Sequence, residues 1–103
     1  MKFMLTWSIK TENRHVVFER FSNADLSQEM PEGIKLIGRW HSIGDFTGCC
    51  IIEAENEAPI FQWLLLWNDL VDVNYKPVVE DEEAQRPRPL LNRLKAIFIP
   101  SST

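Results

Sequence analysis

TGCCIIEAENEAPIFQWLLLWNDLVDVNYKPVV, residues 47–79, reads as a strand, a helix and a second strand. Thr47–Glu55 carries Cys49, Cys50, Ile51 and Ile52 without a polar break, as a strand covered on both faces does. Glu57–Leu70 then turns to helical spacing, with Ile60, Trp63, Leu64 and Trp67 on one stripe. Asn56 can cap that helix and Pro59 fits its first turn. Val71–Val79 returns as a strand, and its Pro77, which has no N–H to donate, belongs at a sheet edge.

Upstream, the same order recurs. Lys2–Ile9 alternates Phe3, Leu5, Trp7 and Ile9 with Met4, Thr6 and Ser8. Thr11–Phe21 is helical, with Thr11 as the expected cap and Val17, Phe18 and Phe21 as the buried stripe. Ile34–Trp40 is the remaining strand, and its Lys35 and Arg39 suit an edge. Pro31-Glu32-Gly33 is turn chemistry, and Gly44-Asp45 marks a hairpin link of more than two residues. Two interleaved βαβ units make the ferredoxin-like plan, βαββαβ. The fold class is α+β: a four-stranded antiparallel sheet, strands one and three central, with two helices on one face.

Such a sheet leaves its other face to solvent or a partner. Helix two also has more apolar surface than one stripe needs, because Phe61 and Leu65 fall outside it. Both features point to a homodimer. The ferredoxin-like domain spans residues 1–86, and residues 87–103 form an extension. Arg86-Pro87-Arg88-Pro89 is a stiff break, after which Leu90, Leu91, Leu94, Ile97 and Phe98 recur at helical spacing. That helix is expected to dock on the chain itself or on its twin.

Composition narrows the function classes. The 103 residues are 45% hydrophobic and 25% charged, the balance of a single globular domain. Folding a chain of this length removes about 65% of its accessible surface. A net charge of −4, with no basic stripe, argues against nucleic acid and against anionic membranes. No stretch reaches the 18 apolar residues of a membrane span, and no signal peptide is apparent, so the expected location is the cytoplasm. Cys49 and Cys50 are adjacent, point to opposite faces of a strand and read as reduced core residues. No metal-ligand spacing and no phosphate loop occur, so neither metal nor cofactor is expected.

The sharpest chemical string is Gly38-Arg39-Trp40-His41. Arg39 can clamp an anion, His41 titrates near neutral pH, and Trp40 can wall a pocket. Arg39 and His41 share one side of the strand, and alternation does not say which side. The competing reading puts Trp40 in the core and the other two in solvent. Asn68 and Tyr75, near Trp63 and Trp67, describe either a pocket with aromatic walls or an ordinary core at a helix end. His15, between Glu12 and Glu19, reads as a surface residue.

From Met1 to about Glu83 the chain resembles a family of short bacterial proteins of unknown function with a dimeric α+β barrel fold. The resemblance is carried by Met4-Leu5-Thr6-Trp7, Glu12-Asn13-Arg14 and Pro31-Glu32-Gly33-Ile34-Lys35. It continues through Leu36-Ile37-Gly38-Arg39-Trp40-His41 and Trp63 with Trp67-Asn68-Asp69-Leu70. It implies two sheets paired face to face and, in enzymatic relatives, a substrate held between sheet and helices. Haem-degrading relatives use a histidine on the second helix, which Glu57–Leu70 lacks, so haem is not expected. Two functional readings follow. One is a dimer that binds or transforms a small apolar or anionic molecule, using Arg39, His41, Trp7, Trp40, Trp67, Asn68 and Tyr75. The alternative is a noncatalytic structural or regulatory interaction dimer with a filled core.

Overall fold

β1 (Lys2–Ile9) runs through a 3-10 turn at Thr11–Asn13 into α1 (Arg14–Ser22). β2 (Lys35–Ser42) and β3 (Thr47–Glu53) form a hairpin, and α2 (Ala58–Trp67) brings the chain back to β4 (Val71–Val78). A single turn, α3 (Asp81–Ala84), and α4 (Pro89–Phe98) follow. The structure, a computed structural model, describes residues 1–26 and 28–98. The sheet order is β2-β3-β1-β4 with every neighbouring pair antiparallel, so β1 and β3 are central and the edges are those the sequence marks. This is the ferredoxin-like arrangement.

The core lies between the sheet and α2. Phe3, Leu5, Cys50 and Ile52 rise from the two central strands to meet Ile60 and Trp63, and all six are buried. The N-cap of α2 is Glu57, which makes no side-chain cap, and Asn56, expected in that place, lies one residue earlier with its Oδ1 accepting the Ala58 N–H at 3.0 Å. Thr11 does not cap α1. It lies inside the 3-10 turn, whose flanking Lys10 makes no side-chain cap. Gly33 adopts φ +96°, and a side chain there would be both strained and close to Pro59.

One irregularity decides which way β2 faces. Leu36 pairs with Ile52, but Gly38 pairs with Ile51, so Ile37 is bulged out of register. A bulge flips the parity of everything after it. Leu36 packs on the core, yet Arg39 and His41, at odd positions, also face the helices, opposite Cys50 and Gly48. Trp40 therefore lies on the helix-free face. It is 58% exposed and its ring covers Gly38, so the reading that buries Trp40 and leaves Arg39 in solvent fails.

α1 is held differently from α2. Val17 is its only buried residue, and Phe18, expected in the buried stripe, is exposed. Polar straps fix the helix instead. Asn13 Nδ2 donates to the Leu70 carbonyl at 3.1 Å. Arg20 donates to the Leu66 carbonyl at 2.9 Å and pairs with Asp69 at 3.3 Å, placing a cation at the C-terminal end of α2. Held by these straps, α1 roofs a space above the sheet.

The extension forms the expected amphipathic helix but does not dock within one chain. No α4 residue is buried, and Leu90, Ile97 and Phe98 are exposed. Pro87 and Pro89 stiffen the link, and Arg88 donates to the Arg86 and Glu83 carbonyls. These bonds hold the turn so that α4 projects, and the chain measures 59 × 29 × 21 Å. Residues 99–103, the end of the extension, lie outside the described residues.

Candidate functional site

The space under α1 is a cavity of about 570 Å³, within the size range of small-ligand pockets. Its floor is the helix-facing row of the sheet: Leu5, Trp7, Val73 and His41. Trp63, Leu64 and Trp67 from α2 form one wall, and Val17, Phe18 and Phe21 from α1 form the roof. The β2–β3 link closes one end with Ile43 and Phe46. The lining is overwhelmingly apolar, so the few polar groups stand out.

Arg39 and Glu29 form the first polar group. One Arg39 Nη atom lies 3.1 Å from both carboxylate oxygens of Glu29, and both side chains are nearly buried, 11% and 6% exposed. The guanidinium also sits 5.2 Å from the centre of the Phe21 ring. The ion pair neutralises Arg39, so the anion clamp expected of it is already closed on a carboxylate of the same chain. Glu29 lies in the connection after α1, where no pattern in the sequence marked it.

His41 is wedged between rings, 5.0 Å from Phe21 and 5.9 Å edge-on to Trp7. Burial first, and then the nearby Arg39 charge, hold its pKa below the ordinary 6.5, against a smaller opposing pull from Glu29. At neutral pH it is therefore an uncharged imidazole, able to donate one hydrogen bond and accept another. Cys50 sits beneath Arg39 on the neighbouring strand, and burial raises its thiol to about 11, so it is no nucleophile.

Arg14 is the second charged group in the lining. Its guanidinium lies 4.4 Å from the centre of the Phe46 ring, a cation–π distance. Among the described residues no carboxylate pairs with it, and its Nε is buried without a hydrogen-bond partner. Trp63 Nε1 is likewise buried and unpartnered. Phe46 itself has φ +55°, the only non-glycine residue with positive φ among those described. Such strain clusters at functional sites. Its carbonyl is held by the Ile9 N–H at 3.1 Å, and Thr47 Oγ1 donates to Asp45 Oδ1 at 2.8 Å, so the link is braced in that shape.

Of the seven residues singled out by the sequence, four meet here: Trp7, Trp67, Arg39 and His41. Three do not line the cavity. Trp40 is on the opposite face of the sheet. Asn68 ends α2, its backbone N–H bonded to the Leu64 carbonyl at 2.8 Å. Tyr75 sits toward the start of α2, where its hydroxyl donates to Glu57 Oε2 at 2.8 Å and its ring packs on Phe61 and Phe3. Glu29, Arg14 and Phe46 are residues the sequence reading missed. For Arg14 a signal existed: positions 14, 17, 18 and 21 form one helical stripe, which puts Arg14 on the same side as Val17 and Phe21.

Comparison with known proteins matches residues 1–87 to a family described as a domain of unknown function, DUF3303. The chain belongs to the DUF3303 family. The match spans the whole sheet with α1, α2 and α3, and ends before α4. No curated protein and no solved structure matches the chain. In this DUF3303 chain no described helix is long and apolar enough to cross a membrane. Nor do the described residues gather three or more His, Cys, Asp or Glu side chains as a metal site would.

Proposed function

We propose that this DUF3303 protein binds a small, mostly apolar molecule carrying one anionic or strongly hydrogen-bond-accepting group, in the cavity under α1. One observation carries the reading. Arg14 is a cation at an apolar cavity, with no acidic partner among the described residues and with a buried, unpartnered Nε. An unmet donor of this kind is costly, and a ligand acceptor would meet it. Trp7, Trp63 and Trp67 supply the apolar walls, and neutral His41 supplies a second polar contact that can hold or move a proton. Arg39 contributes through its ion pair with Glu29, as part of the wall rather than as the ligand's counter-charge. In solution we take the protein to be a homodimer, paired through the helix-free face that carries half-exposed Cys49 and Ile51 beside Trp40. The expected location is the cytoplasm.

The test is a thermal-shift screen of small aromatic and branched aliphatic carboxylates, with matched neutral amides. A ligand at 100 times its dissociation constant stabilises the fold by about 2.7 kcal/mol. Carboxylates are expected to raise the melting temperature of wild type, and Arg14→Met to lose most of that shift while its unliganded melting temperature stays close to wild type. Equal shifts for Arg14→Met and wild type would remove Arg14 from the site. No shift with any acid or amide would favour the interaction dimer.

A further inference from the structure

Two apolar surfaces of this chain lie bare in the isolated molecule. On α4, Leu90, Leu91, Leu94, Ile97 and Phe98 are 41–76% exposed. On the outer side of α2, Phe61, Leu65 and Leu66 are 47–71% exposed. The link of Pro87 and Pro89, with Arg88 bonded back to Arg86 and Glu83, holds α4 away from its own body. The charge is divided along the same line. Residues 1–85 hold 15 acidic and 7 basic side chains, whereas residues 86–103 hold 4 basic side chains and no acidic one. The basic residues are Arg86, Arg88, Arg93 and Lys95, and Glu53, Glu55 and Glu57 precede α2.

We propose that α4 is an exchange arm, and that its apolar stripe seats on the exposed outer face of α2 in a second copy of this chain. The occupant follows from charge and area together. A basic arm is attracted to an acidic body, and that same body repels an anionic membrane surface. Reciprocal exchange brings eight large apolar side chains from each copy into one contact. With about 100 Å² buried by each of these sixteen side chains, the total is about 1,600 Å², within the 1,200–2,000 Å² of a stable interface. A ten-residue helix is marginal alone in water, so α4 gains its order from what it seats upon.

The experiment is amide hydrogen exchange on the full chain, across protein concentrations from nanomolar to high micromolar. Amides of residues 90–98 and 61–66 are expected to slow at least tenfold as concentration rises. Leu94→Asp and Leu65→Asp are each expected to abolish that slowing in both segments while β1 and β3 stay protected. Exchange at residues 90–98 that is fast at every concentration overturns the proposal. So does protection independent of concentration, which is self-docking, and protection that appears only with phosphatidylserine vesicles, which is membrane binding. If Leu65→Asp leaves the protection of residues 90–98 unchanged, α2 is not the seat and the proposal also fails.

Discussion

Arg14 and Arg39 carry the same charge into the same cavity and differ in what answers it. Arg39 is buried against Glu29. Removing one member of a buried pair strands the other, which typically costs about 3–5 kcal/mol. Glu29→Gln is therefore expected to lower the unfolding free energy from urea titration by an amount in that range, and a value equal to wild type would show the pair to be solvated. His41 adds a pH dependence of definite sign. Its folded pKa lies below 6.5, so the unfolded chain binds the proton more readily. Stability is then full above pH 6.5 and falls as pH drops through 6.5 toward the folded pKa. Unfolding followed from pH 8 to pH 5 should show a shallower acid decline in His41→Gln than in wild type, and identical slopes would mean His41 titrates normally. The sequence showed that Arg39 and His41 act from one side of their strand. It could not show Glu29 closing on Arg39, because a residue ten positions away in an irregular connection leaves no periodic trace.

Among the elements, β2 carries the lesson about legibility. Strand and helix order, the central and edge strands, and the stripe on α2 were all readable, because period and turn residues encode them directly. The side that Arg39 faces was not, since a single extra residue at Ile37 reverses it, and the neighbouring Gly38, a residue that often marks a bulge, does not by itself fix where the register slips. The placing of α1 as a roof was equally hidden, because it depends on straps from Asn13 and Arg20 to α2 and its end, far away in sequence. Two glycines test the resulting geometry. A Cβ at Gly48 would fall 2.3 Å from the Trp7 ring, and one at Gly38 would fall 2.5 Å from the ring of Trp40. Trp40 is 58% exposed and free to swing away, whereas Trp7 floors the cavity with His41 against its edge. Gly48→Ala should thus cost about 1–3 kcal/mol, the usual price of overpacking, and Gly38→Ala clearly less. Denaturant midpoints in the reverse order would put Trp7, not Trp40, on the open side.

For the whole molecule, apolar surface stands unanswered on more than one side. Beyond α4 and the outer side of α2, the helix-free face of the sheet presents Trp40, Ile37 and the half-buried Met4, Cys49 and Ile51. Cys49 and Ile51 belong to the continuous apolar run that reads as a strand covered on both sides, and in one chain only the helix side of that strand is covered. A second sheet laid on this face would complete the burial that the sequence implies. Trp40 is the natural anchor, because exposed tryptophans that enter an interface carry a disproportionate share of its energy. Replacing it with lysine inserts a charge on the pairing face and leaves the core untouched, since Trp40 touches none of the core cluster on the helix side. Trp40→Lys is therefore expected to keep wild-type stability at low concentration while weakening self-association at least tenfold in sedimentation equilibrium. That change belongs to the sheet face alone, because slowed exchange across residues 90–98 tracks the arm, and the two can be followed in one sample. If Trp40→Lys associates as tightly as wild type, the helix-free face is a solvated surface and any dimer must be built elsewhere.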